Sequence, residues 1–383
     1  MNYSFDELIT RRGSGSVKWD EMPSDDVLPL WVADMDFRAA PCIMDALRRR
    51  VEHGVFGYTF VDERYYDAII RWFQRRHNWT INRDWIIYTT GVVPAISATL
   101  KALAKPGEKV AILTPVYNCF FSSIRNNQLQ ALEVPLLDDA QRIDFDALAK
   151  VLADPACTIL LFCNPHNPGG RVWRQEELER VAELCAKNGV WLVSDEIHCE
   201  LVFQGSTFTP FASLPTPLQS RIVTFNSPSK NFNTAGLQVA NIICEDEDVR
   251  RRIDRAINDN EVCDVNPLGV EALIAAYNEG ESWLEELLVY LHENYKLLCG
   301  FAKDNLKSWR VLPLEGTYLA WVDVSASGID GDTTYRRLLN DAHVAVNAGS
   351  MYGKSGKNYI RMNLACPRKR LEEALVRIAK TLS

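Results

Sequence analysis

A lysine with two nearby serines lies between two apolar stretches in the second half of the chain. Lys230 follows the run 222–225, which reads as a buried strand, and precedes the strand-like run 239–243. Burying an ammonium group is costly, so a lysine between buried strands is better explained as the covalent partner of an aldehyde. The alternative is a solvated loop lysine, which is the usual interpretation of an isolated Ser-x-x-Lys pattern. The other residues of the chain decide between the two.

Pyridoxal phosphate (PLP) is an aldehyde cofactor with several requirements, and the chain offers a candidate for each. Its aldehyde needs a lysine, its pyridine nitrogen a carboxylate, its phenolic oxygen a hydrogen-bond donor, and its phosphate amides, hydroxyls or cations. Asp195 ends an apolar stretch and is the candidate for the pyridine nitrogen. Asn167, in the turn 164–170, is the candidate for the phenolic oxygen, and Tyr117 can lie flat against the ring. Taken singly, Asp195 is explained as a helix cap and Asn167 as a turn residue, but together with Lys230 they predict bound PLP.

The phosphate of PLP has candidate ligands in two places. The strand-like run 85–90 leads through a glycine into a helix start, where free backbone N–H groups and the helix dipole favour an anion. This arrangement predicts the N–H groups of Val92 and Val93 as ligands, although many strand-to-helix turns look alike and bind nothing. The hydroxyls of Ser227 and Ser229, three and one residues before the lysine, are the second group of candidates.

Apolar strands alternate with amphipathic helices from about residue 85 to residue 196. This alternation predicts an α/β fold of three layers (α/β/α), in which helices cover both faces of a mostly parallel sheet. One of the predicted strands covers residues 131–137. Ligands of such sheets bind at the carboxyl ends of the strands. Tyr117, Asp195 and Lys230 all follow predicted strands, so we expect them to meet at one edge of the sheet.

The domain organisation predicted from these patterns has three parts. Residues 1–45 form an N-terminal arm that joins the small domain, residues 46–280 form the large PLP-binding domain, and residues 281–383 form a smaller C-terminal α/β domain. The pattern changes after Pro313, where short strand-like runs, including 342–347, alternate with helices.

Composition and charge exclude several classes of partner. The 383 residues are 47% hydrophobic and carry a net charge of −8 without a basic block, which argues against nucleic acid or an anionic membrane as the main partner. No apolar run is long enough to span a bilayer, and the N-terminus lacks the basic and apolar regions of a signal peptide. The ten cysteines are scattered without a C-x-x-C pair, so we predict reduced core thiols of a cytoplasmic protein and no metal site.

On these motifs the sequence resembles the fold-type I PLP-dependent enzymes of the class I/II aminotransferase group. Within that group it is similar to the cystathionine β-lyase-like C–S lyases of the MalY/PatB kind. The resemblance runs nearly end to end, and its most specific pieces are the runs 164–170, 194–198, 227–233 and 31–37. The last of these is an apolar run without periodicity, which we predict to be a loop packed across a cleft. It favours a lyase over an aminotransferase.

The resemblance also implies roles for residues that spacing alone does not single out. Arg361 would bind the substrate α-carboxylate as a bidentate fork, although an arginine on a strand is more often simply exposed. Trp31 and Ala33 would contact the substrate together with Asn167, although Trp31 is equally well explained as a core residue. His198, three residues after the candidate carboxylate, would lie beside the phenolic oxygen of PLP.

A homodimer with shared active sites is implied by the same resemblance. Tyr58 would reach the cofactor phosphate of the neighbouring subunit and would act with Lys230 and Asp195 as a catalytic residue. The chain departs from aspartate aminotransferases at Gln238, where those enzymes place a phosphate-binding arginine, and at Tyr117, where they place a tryptophan. The phosphate would therefore depend more on amides, hydroxyls and Tyr58.

The activity that the resemblance implies is α,β-elimination from S-substituted L-cysteines, which yields a thiol, pyruvate and ammonia. Lys230 would remove the Cα proton, while the PLP ring held by Asp195 takes up the charge. The main alternative is an aminotransferase that acts on amino acids, because transamination uses the same residues and differs only in the fate of the proton and of the β substituent. A third hypothesis is a regulatory protein that keeps PLP but acts by binding a partner.

Overall fold

The computed structural model describes residues 3–137, 139, 141–259, 261 and 264–382. These residues contain twelve α-helices and thirteen strands. The helices are α1 Val17–Asp20, α2 Pro41–His53, α3 Glu63–His77, α4 Val92–Leu103, α5 Cys119–Asn126, α6 Phe145–Leu152, α7 Gln175–Asn188, α8 Glu247–Asn258, α9 Pro267–Glu279, α10 Glu281–Asn305, α11 Gly331–Asn340 and α12 Arg368–Leu382. The strands are β1 Leu28–Pro29, β2 Ile86–Thr89, β3 Lys109–Thr114, β4 Gln130–Pro135, β5 Cys157–Cys163, β6 Trp191–Asp195, β7 Ile222–Asn226, β8 Ala240–Cys244, β9 Arg310–Val311, β10 Leu319–Asp323, β11 Val344–Ala345, β12 Asn347–Ala348 and β13 Tyr359–Asn363.

Local sequence signals set the ends of several helices. α2 begins at Pro41, whose fixed φ and missing N–H group suit the first helical position. α6 begins after Asp144, whose carboxylate accepts a hydrogen bond from the N–H group of Ala147 at 3.0 Å. α7 is followed by Gly189, whose φ of 66° lies in the left-handed region that favours glycine.

A seven-stranded sheet has the order β2-β8-β7-β6-β5-β3-β4. β8 runs antiparallel to both of its neighbours and the other adjacent pairs are parallel, so six of the seven strands point the same way. Side chains alternate between the two faces of each strand. In β5, Ile159 and Leu161 lie in a buried cluster with α4, α5 and α8, whereas Leu160 and Phe162 lie in another with α6 and α7. The predicted three-layer α/β/α fold with a mostly parallel sheet is confirmed.

A second, antiparallel sheet with the order β12-β13-β10-β9 lies in the C-terminal part of the chain. The N-terminal segment contacts this part, because β1 pairs in parallel with β11 and places Leu28 opposite Val344. Farther along, the N–H group of Asn363 donates to the carbonyl of Leu30 at 2.9 Å. These contacts place the residues after Leu30 beside β13, while the boundaries of the three predicted domains stay a prediction.

Two predicted strands differ from those observed. The strand predicted over 342–347 is divided into β11 and β12, because β11 pairs with β1 whereas β12 pairs with β13. The chain passes between two sheets at this point, and a continuous apolar run does not reveal such a passage. The strand predicted over 131–137 ends at Pro135, because its partner β3 ends at Thr114, the residue opposite Pro135. The N–H group of Leu136 makes the last contact, to the carbonyl of Thr114 at 2.7 Å.

The nine cysteines in the described part of the chain are free thiols, and six of them are buried. Burial raises the pKa of the Cys163 thiol well above its usual range, which keeps this group protonated and unreactive. Within the same residues, no helix has both the length and the apolar character that are needed to cross a membrane.

Candidate active site

A cavity of about 590 Å³ opens at the carboxyl edge of the large sheet. The loops after β2, β3, β5, β6 and β7 contribute to its wall. The residues predicted for the site that line this cavity are Trp31, Ala33, Val92, Val93, Tyr117, Asn167, Asp195, His198, Ser229, Lys230 and Arg361. Two predicted residues, Ser227 and Tyr58, lie elsewhere.

Lys230 lies in the loop between β7 and β8, and its Nζ donates to the carbonyl of Ala33 at 2.7 Å. Burial lowers the pKa of Lys230 to about 8, and the Arg361 guanidinium also lowers it, whereas the carboxylates of Asp34 and Asp195 act in the opposite direction. The amine form is therefore far more populated near neutral pH than it is in a surface lysine. This is the form that reacts with an aldehyde or accepts a proton.

Asp195 ends β6, and only 3% of it is exposed. Its Oδ1 accepts a hydrogen bond from the N–H group of Ile197 at 3.1 Å. Burial raises the pKa of Asp195 to about 6, although that N–H group and the charge of Lys230 lower it. No cationic side chain of the described residues is hydrogen-bonded to this carboxylate. A protonated ring nitrogen is a partner that would satisfy it.

Arg361 and Asn167 are joined across the wall of the cavity. Arg361, on β13, donates from Nη1 to Oδ1 of Asn167 at 3.0 Å, which leaves the Asn167 amide nitrogen as a donor. Arg361 Nη2 donates to the carbonyl of Trp31 and to Oδ1 of Asn347, each at 2.9 Å. The guanidinium lies 4.9 Å from the centre of the Tyr352 ring. Its Nε is buried and has no partner in the described structure, so a ligand carboxylate can use it.

His198 follows β6 and is only 2% exposed. Burial, together with the positive charges of Lys230 and Arg361, holds the pKa of His198 well below its usual range, so the ring is neutral. Its Nδ1 is buried without a partner among the residues that the structure describes. An unsatisfied nitrogen on a neutral imidazole is suited to a hydrogen bond with a ligand in the cavity.

The predicted phosphate ligands are only partly brought together. Val92 and Val93 are the first residues of α4, so their N–H groups have no carbonyl partner within the helix. Ser229 lines the cavity, but Ser227 does not. The Ser227 hydroxyl donates to the carbonyl of Val239 at 2.6 Å and lies 2.7 Å from the Ser229 hydroxyl. Ser227 therefore supports the loop that carries Ser229.

Tyr58 is fully exposed and lies outside the cavity of its own chain. It belongs to the loop 54–60, in which Val55, Phe56 and Phe60 are also largely exposed. Adjacent exposed apolar side chains of this kind are typical of interaction surfaces. The role of Tyr58 therefore depends on what covers this loop.

Residues 31–37, termed the strap, border the cavity. The sequence predicted them as a loop but did not predict the hydrogen bonds that they form with other residues of the chain. The carbonyl of Trp31 accepts a hydrogen bond from Arg361, and the carbonyl of Ala33 accepts one from Lys230. The strap backbone thus orients both of the candidate cationic groups of the site.

Side-chain amides from distant parts of the chain hold the strap backbone. Asn233 accepts a hydrogen bond from the N–H group of Met35 at 2.9 Å and donates to the carbonyl of Phe37 at 2.9 Å. Asn363 donates to the carbonyl of Asp34 at 2.7 Å. These bonds satisfy buried backbone groups that no regular secondary structure would satisfy.

A buried ion-pair network anchors the strap, and sequence reasoning missed it. The side chain of Asp36 is fully shielded from solvent and pairs with Arg11 at 2.7 Å and with Lys18 at 3.2 Å. Arg370 pairs with Asp36 at 3.1 Å, and Arg11 also pairs with Asp34 at 2.7 Å. Two acids in an apolar run were a signal that cations lie nearby, because buried charges are paired. The signal does not say which cations these are.

One group of potential metal ligands lies outside the cavity and consists of His77, Cys199 and Glu200. The Glu200 carboxylate already accepts hydrogen bonds from Arg76 at 2.7 Å and from Trp72 at 2.6 Å. Burial would raise the pKa of Glu200, but His77 and Arg76 hold it at about 2. A carboxylate that is saturated by a guanidinium and an indole acts as a structural anchor.

The donor set of the cavity fits PLP. The buried carboxylate of Asp195 matches a protonated pyridine nitrogen, and the Asn167 amide nitrogen and the unpartnered Nδ1 of His198 match the phenolic oxygen. The lowered pKa of Lys230 matches an amine that reacts with an aldehyde. The amino end of α4 and the Ser229 hydroxyl match the phosphate.

The chain is similar over nearly its whole length to proteins of known family and structure. Residues 25–378 match the family model described as aminotransferase class I and II. Cystathionine β-lyase PatB of Bacillus subtilis (strain 168) is 40% identical to the chain over 386 residues, which cover 99% of this chain and 100% of that protein. The structure of a PLP-bound putative aminotransferase from Clostridium difficile 630 gives a TM-score of 0.97 at 38% identity and full coverage of both chains. Cystalysin from Treponema denticola, whose structure contains PLP, gives a TM-score of 0.96 at 36% identity and covers 100% of this chain and 99% of its own.

Proposed function

The chain belongs to the class I and II aminotransferase family, and within it we propose that it acts as a PLP-dependent C–S β-lyase. The reaction is α,β-elimination from S-substituted L-cysteines, which yields a thiol, pyruvate and ammonia. The observation that carries this proposal is a cavity that combines Lys230, Asp195 and Arg361 in a chain similar over its whole length to a cystathionine β-lyase.

When it is bound, PLP supplies an electron sink for the charge that develops at the substrate Cα. Asp195 holds the ring nitrogen in its protonated form, because its buried carboxylate gains a cationic partner in this way. The side chains and backbone groups proposed to bind PLP are those of Val92, Val93, Tyr117, Asn167, Asp195, His198, Ser229 and Lys230.

Arg361 binds and orients the substrate through its α-carboxylate. Its Nη atoms are tied to Asn167, Trp31 and Asn347, so the guanidinium is fixed before the substrate arrives. A fixed guanidinium loses little freedom on binding and forms charge-assisted hydrogen bonds with a carboxylate. The carboxylate position then fixes how Cα is presented to the other groups of the cavity.

Lys230 moves the proton. With a pKa of about 8, a substantial fraction of its side chain is an amine near neutral pH and accepts the proton from Cα. The protonated Nζ then donates to the sulfur that leaves Cβ as a thiol. The carbonyl of Ala33, 2.7 Å from Nζ, holds the group in place between the two transfers. The unsaturated product hydrolyses to pyruvate and ammonia.

Replacing Lys230 by alanine tests this assignment. We expect Lys230→Ala to lower pyruvate release from S-methyl-L-cysteine by at least about a thousandfold, because the group that moves the proton is lost. The matched control is Lys296→Ala on the solvent side of α10, where the side chain is 58% exposed, and it should keep the original rate. A Lys230→Ala protein that keeps more than about a tenth of the rate contradicts the mechanism.

Transamination is the second candidate function, because a solved structure similar to this chain is described as a putative aminotransferase. It uses the same residues and differs only in the steps after removal of the Cα proton. An aminotransferase needs a keto acid as the acceptor of the amino group, whereas a lyase does not. The dependence of turnover on a keto acid therefore separates the two.

We also propose that the protein is a homodimer in which Tyr58 contributes to the active site of the partner subunit. The exposed loop 54–60 supports this, because Tyr58 is fully exposed and Phe60 is 84% exposed. A tyrosine hydroxyl is a suitable donor to a phosphate oxygen. We propose a cytoplasmic location as well, because the cysteines of the described residues are free thiols, as is usual in a reducing compartment.

A further inference from the structure

A second cavity, of about 430 Å³, adjoins the proposed active site. It shares three wall residues with the first cavity, namely Trp31, Asn347 and Met351. The Trp31 indole is fixed between the two cavities, because its Nε1 donates to the carbonyl of Lys18 at 3.0 Å. This second cavity is termed the side chamber.

The side chamber begins next to the group proposed to bind the substrate carboxylate. Arg361 Nη2 contacts both the carbonyl of Trp31 and Oδ1 of Asn347, and these residues belong to both cavities. The first cavity has to hold the cofactor and the cysteine part of the substrate. The group attached to the substrate sulfur then needs space beside Arg361, and the side chamber supplies it.

The wall of the side chamber is apolar. Tyr335 and Leu339 are four residues apart on α11, so they lie on the same face of this helix and both line the chamber. Met22 and Val346 line it from the N-terminal segment and from the stretch between β11 and β12. Glu21 is the one charged side chain among the described lining residues, and it is exposed.

We propose that the side chamber binds the sulfur substituent and selects neutral, apolar thioalkyl and thioaryl groups. An apolar wall stabilises added methylene groups by removing them from water. A substituent that ends in a carboxylate meets no cation there and is repelled by Glu21. The substituent of L-cystathionine ends in a carboxylate and an ammonium group, and an apolar wall replaces the water around neither of them, so it should be a poorer substrate than a cysteine with an apolar substituent of similar length. This inference rests on the proposed lyase activity.

A matched substrate series tests the selectivity with the PLP-loaded protein. The series comprises S-methyl-, S-butyl- and S-(3-carboxypropyl)-L-cysteine, the last of which replaces the terminal methyl group of the butyl chain with a carboxylate. We expect kcat/KM for pyruvate release to be at least about tenfold higher for S-butyl- than for S-methyl-L-cysteine. We expect the carboxypropyl compound to fall at least about tenfold below the butyl compound.

Two substitutions tie the selectivity to the chamber. Leu339→Trp fills the chamber and should lower the ratio of kcat/KM for S-butyl- over S-methyl-L-cysteine by about tenfold. The control Arg336→Trp places the same ring on an exposed position of α11 and should leave both rates unchanged. Glu21→Gln should narrow the difference between the butyl and carboxypropyl compounds by about two- to threefold, because an exposed charge acts weakly.

The outcomes separate this inference from the proposed function. If S-methyl-L-cysteine yields pyruvate but the carboxypropyl compound reacts as well as the butyl compound, the lyase stands and the side chamber is not the selecting site. An unchanged ratio in Leu339→Trp leads to the same conclusion, and pyruvate release from S-methyl-L-cysteine shows that this variant is folded. If no S-substituted cysteine yields pyruvate, the proposed function fails and this inference fails with it.

Discussion

Lys230 and Asp195 have pKa values displaced in opposite directions by the same cause. Burial lowers the pKa of the lysine to about 8 and raises that of the aspartate to about 6, because it disfavours the charged form of each group. The two groups therefore have different functions in one cavity. The lysine serves as an amine, and the aspartate needs a cation to stay ionised.

The first residue-level prediction concerns Asp195→Asn. The amide keeps the shape of the side chain but cannot hold a protonated ring nitrogen, so kcat for S-methyl-L-cysteine should fall by about 10²–10³-fold. Absorbance of the bound PLP measures whether the cofactor is retained, and the control is Asp254→Asn on the exposed side of α8. Wild-type kcat in a PLP-loaded Asp195→Asn protein contradicts the role given to Asp195.

A second prediction concerns Glu196, which is fully buried. Burial raises its pKa from 4.5 to about 8, although the N–H group of Phe211 and the Ser194 hydroxyl lower it. Between pH 4.5 and about pH 8, Glu196 is ionised in the unfolded chain but keeps its proton in the folded protein. The contribution of Glu196 to the free energy of unfolding therefore falls as the pH rises through this window.

Glu196→Gln mimics the protonated carboxyl group and should remove this pH dependence. We expect the variant to be more stable than the wild type near pH 8, by on the order of 2 kcal/mol, and closer to it near pH 5. Urea unfolding at both pH values measures the difference. A variant that is equally destabilised at both values shows that Glu196 is ionised in the folded protein.

Residue types were predictable where the chemistry of PLP requires them, and side-chain directions were not. Lys230, Asp195 and Asn167 were predicted because few residue types can meet each requirement of the cofactor. Ser227 and Ser229 offer the same hydroxyl two residues apart, and only the contact between Ser227 and Val239 shows which of them is turned away from the cavity.

At the scale of elements, the strap is an irregular segment whose position depends on buried charges. Asp36 is surrounded by Arg11, Lys18 and Arg370, and Arg11 also binds Asp34. The positive and negative charges of this cluster compensate each other, so removal of one partner leaves uncompensated charge in the interior. The loop itself was predictable from its lack of periodicity, but its partners come from both ends of the chain.

The third prediction is that Asp36→Asn weakens both the fold and the site. We expect a loss of roughly 3–5 kcal/mol in the free energy of unfolding, because Arg370 loses its buried counter-ion and Lys18 keeps only Asp34, at 3.5 Å. We also expect KM for the substrate to rise, because the strap orients Arg361. The control is Glu7→Gln, whose pair with Arg38 is exposed, and its unfolding midpoint should stay nearly unchanged. Equal stability of the two variants contradicts the anchoring role.

At the scale of the whole molecule, the parallel sheet was predicted, whereas its one reversed strand was not predicted although the sequence carries a signal for it. Parallel neighbours need a crossover connection, usually a helix, whereas antiparallel neighbours do not. Between β7 and β8 the chain forms only the lysine loop and a short 3₁₀ turn, Ala235–Leu237. The absence of a long amphipathic run between them was a signal for reversal. The exposed loop around Tyr58 belongs to this scale as well, because its proposed partner is a second copy of the chain.

The fourth prediction tests the shared active site. Tyr58→Ala and Lys230→Ala should each give an inactive homodimer, but a mixed dimer has one site with both residues intact. Co-expression of the two variants should therefore restore about a quarter of the wild-type activity. A mixture that stays as inactive as the separate variants, although mixed dimers form, shows that Tyr58 does not serve the partner subunit.

The central claim is elimination without an amino-group acceptor. The most direct measurement is to incubate the PLP-loaded protein with S-methyl-L-cysteine in the absence of any keto acid and to quantify methanethiol, pyruvate and ammonia together. The proposed lyase predicts that the three products appear in equal amounts over many turnovers. Turnover that occurs only after a keto acid is added, with formation of a new amino acid and no thiol, would contradict it and identify an aminotransferase.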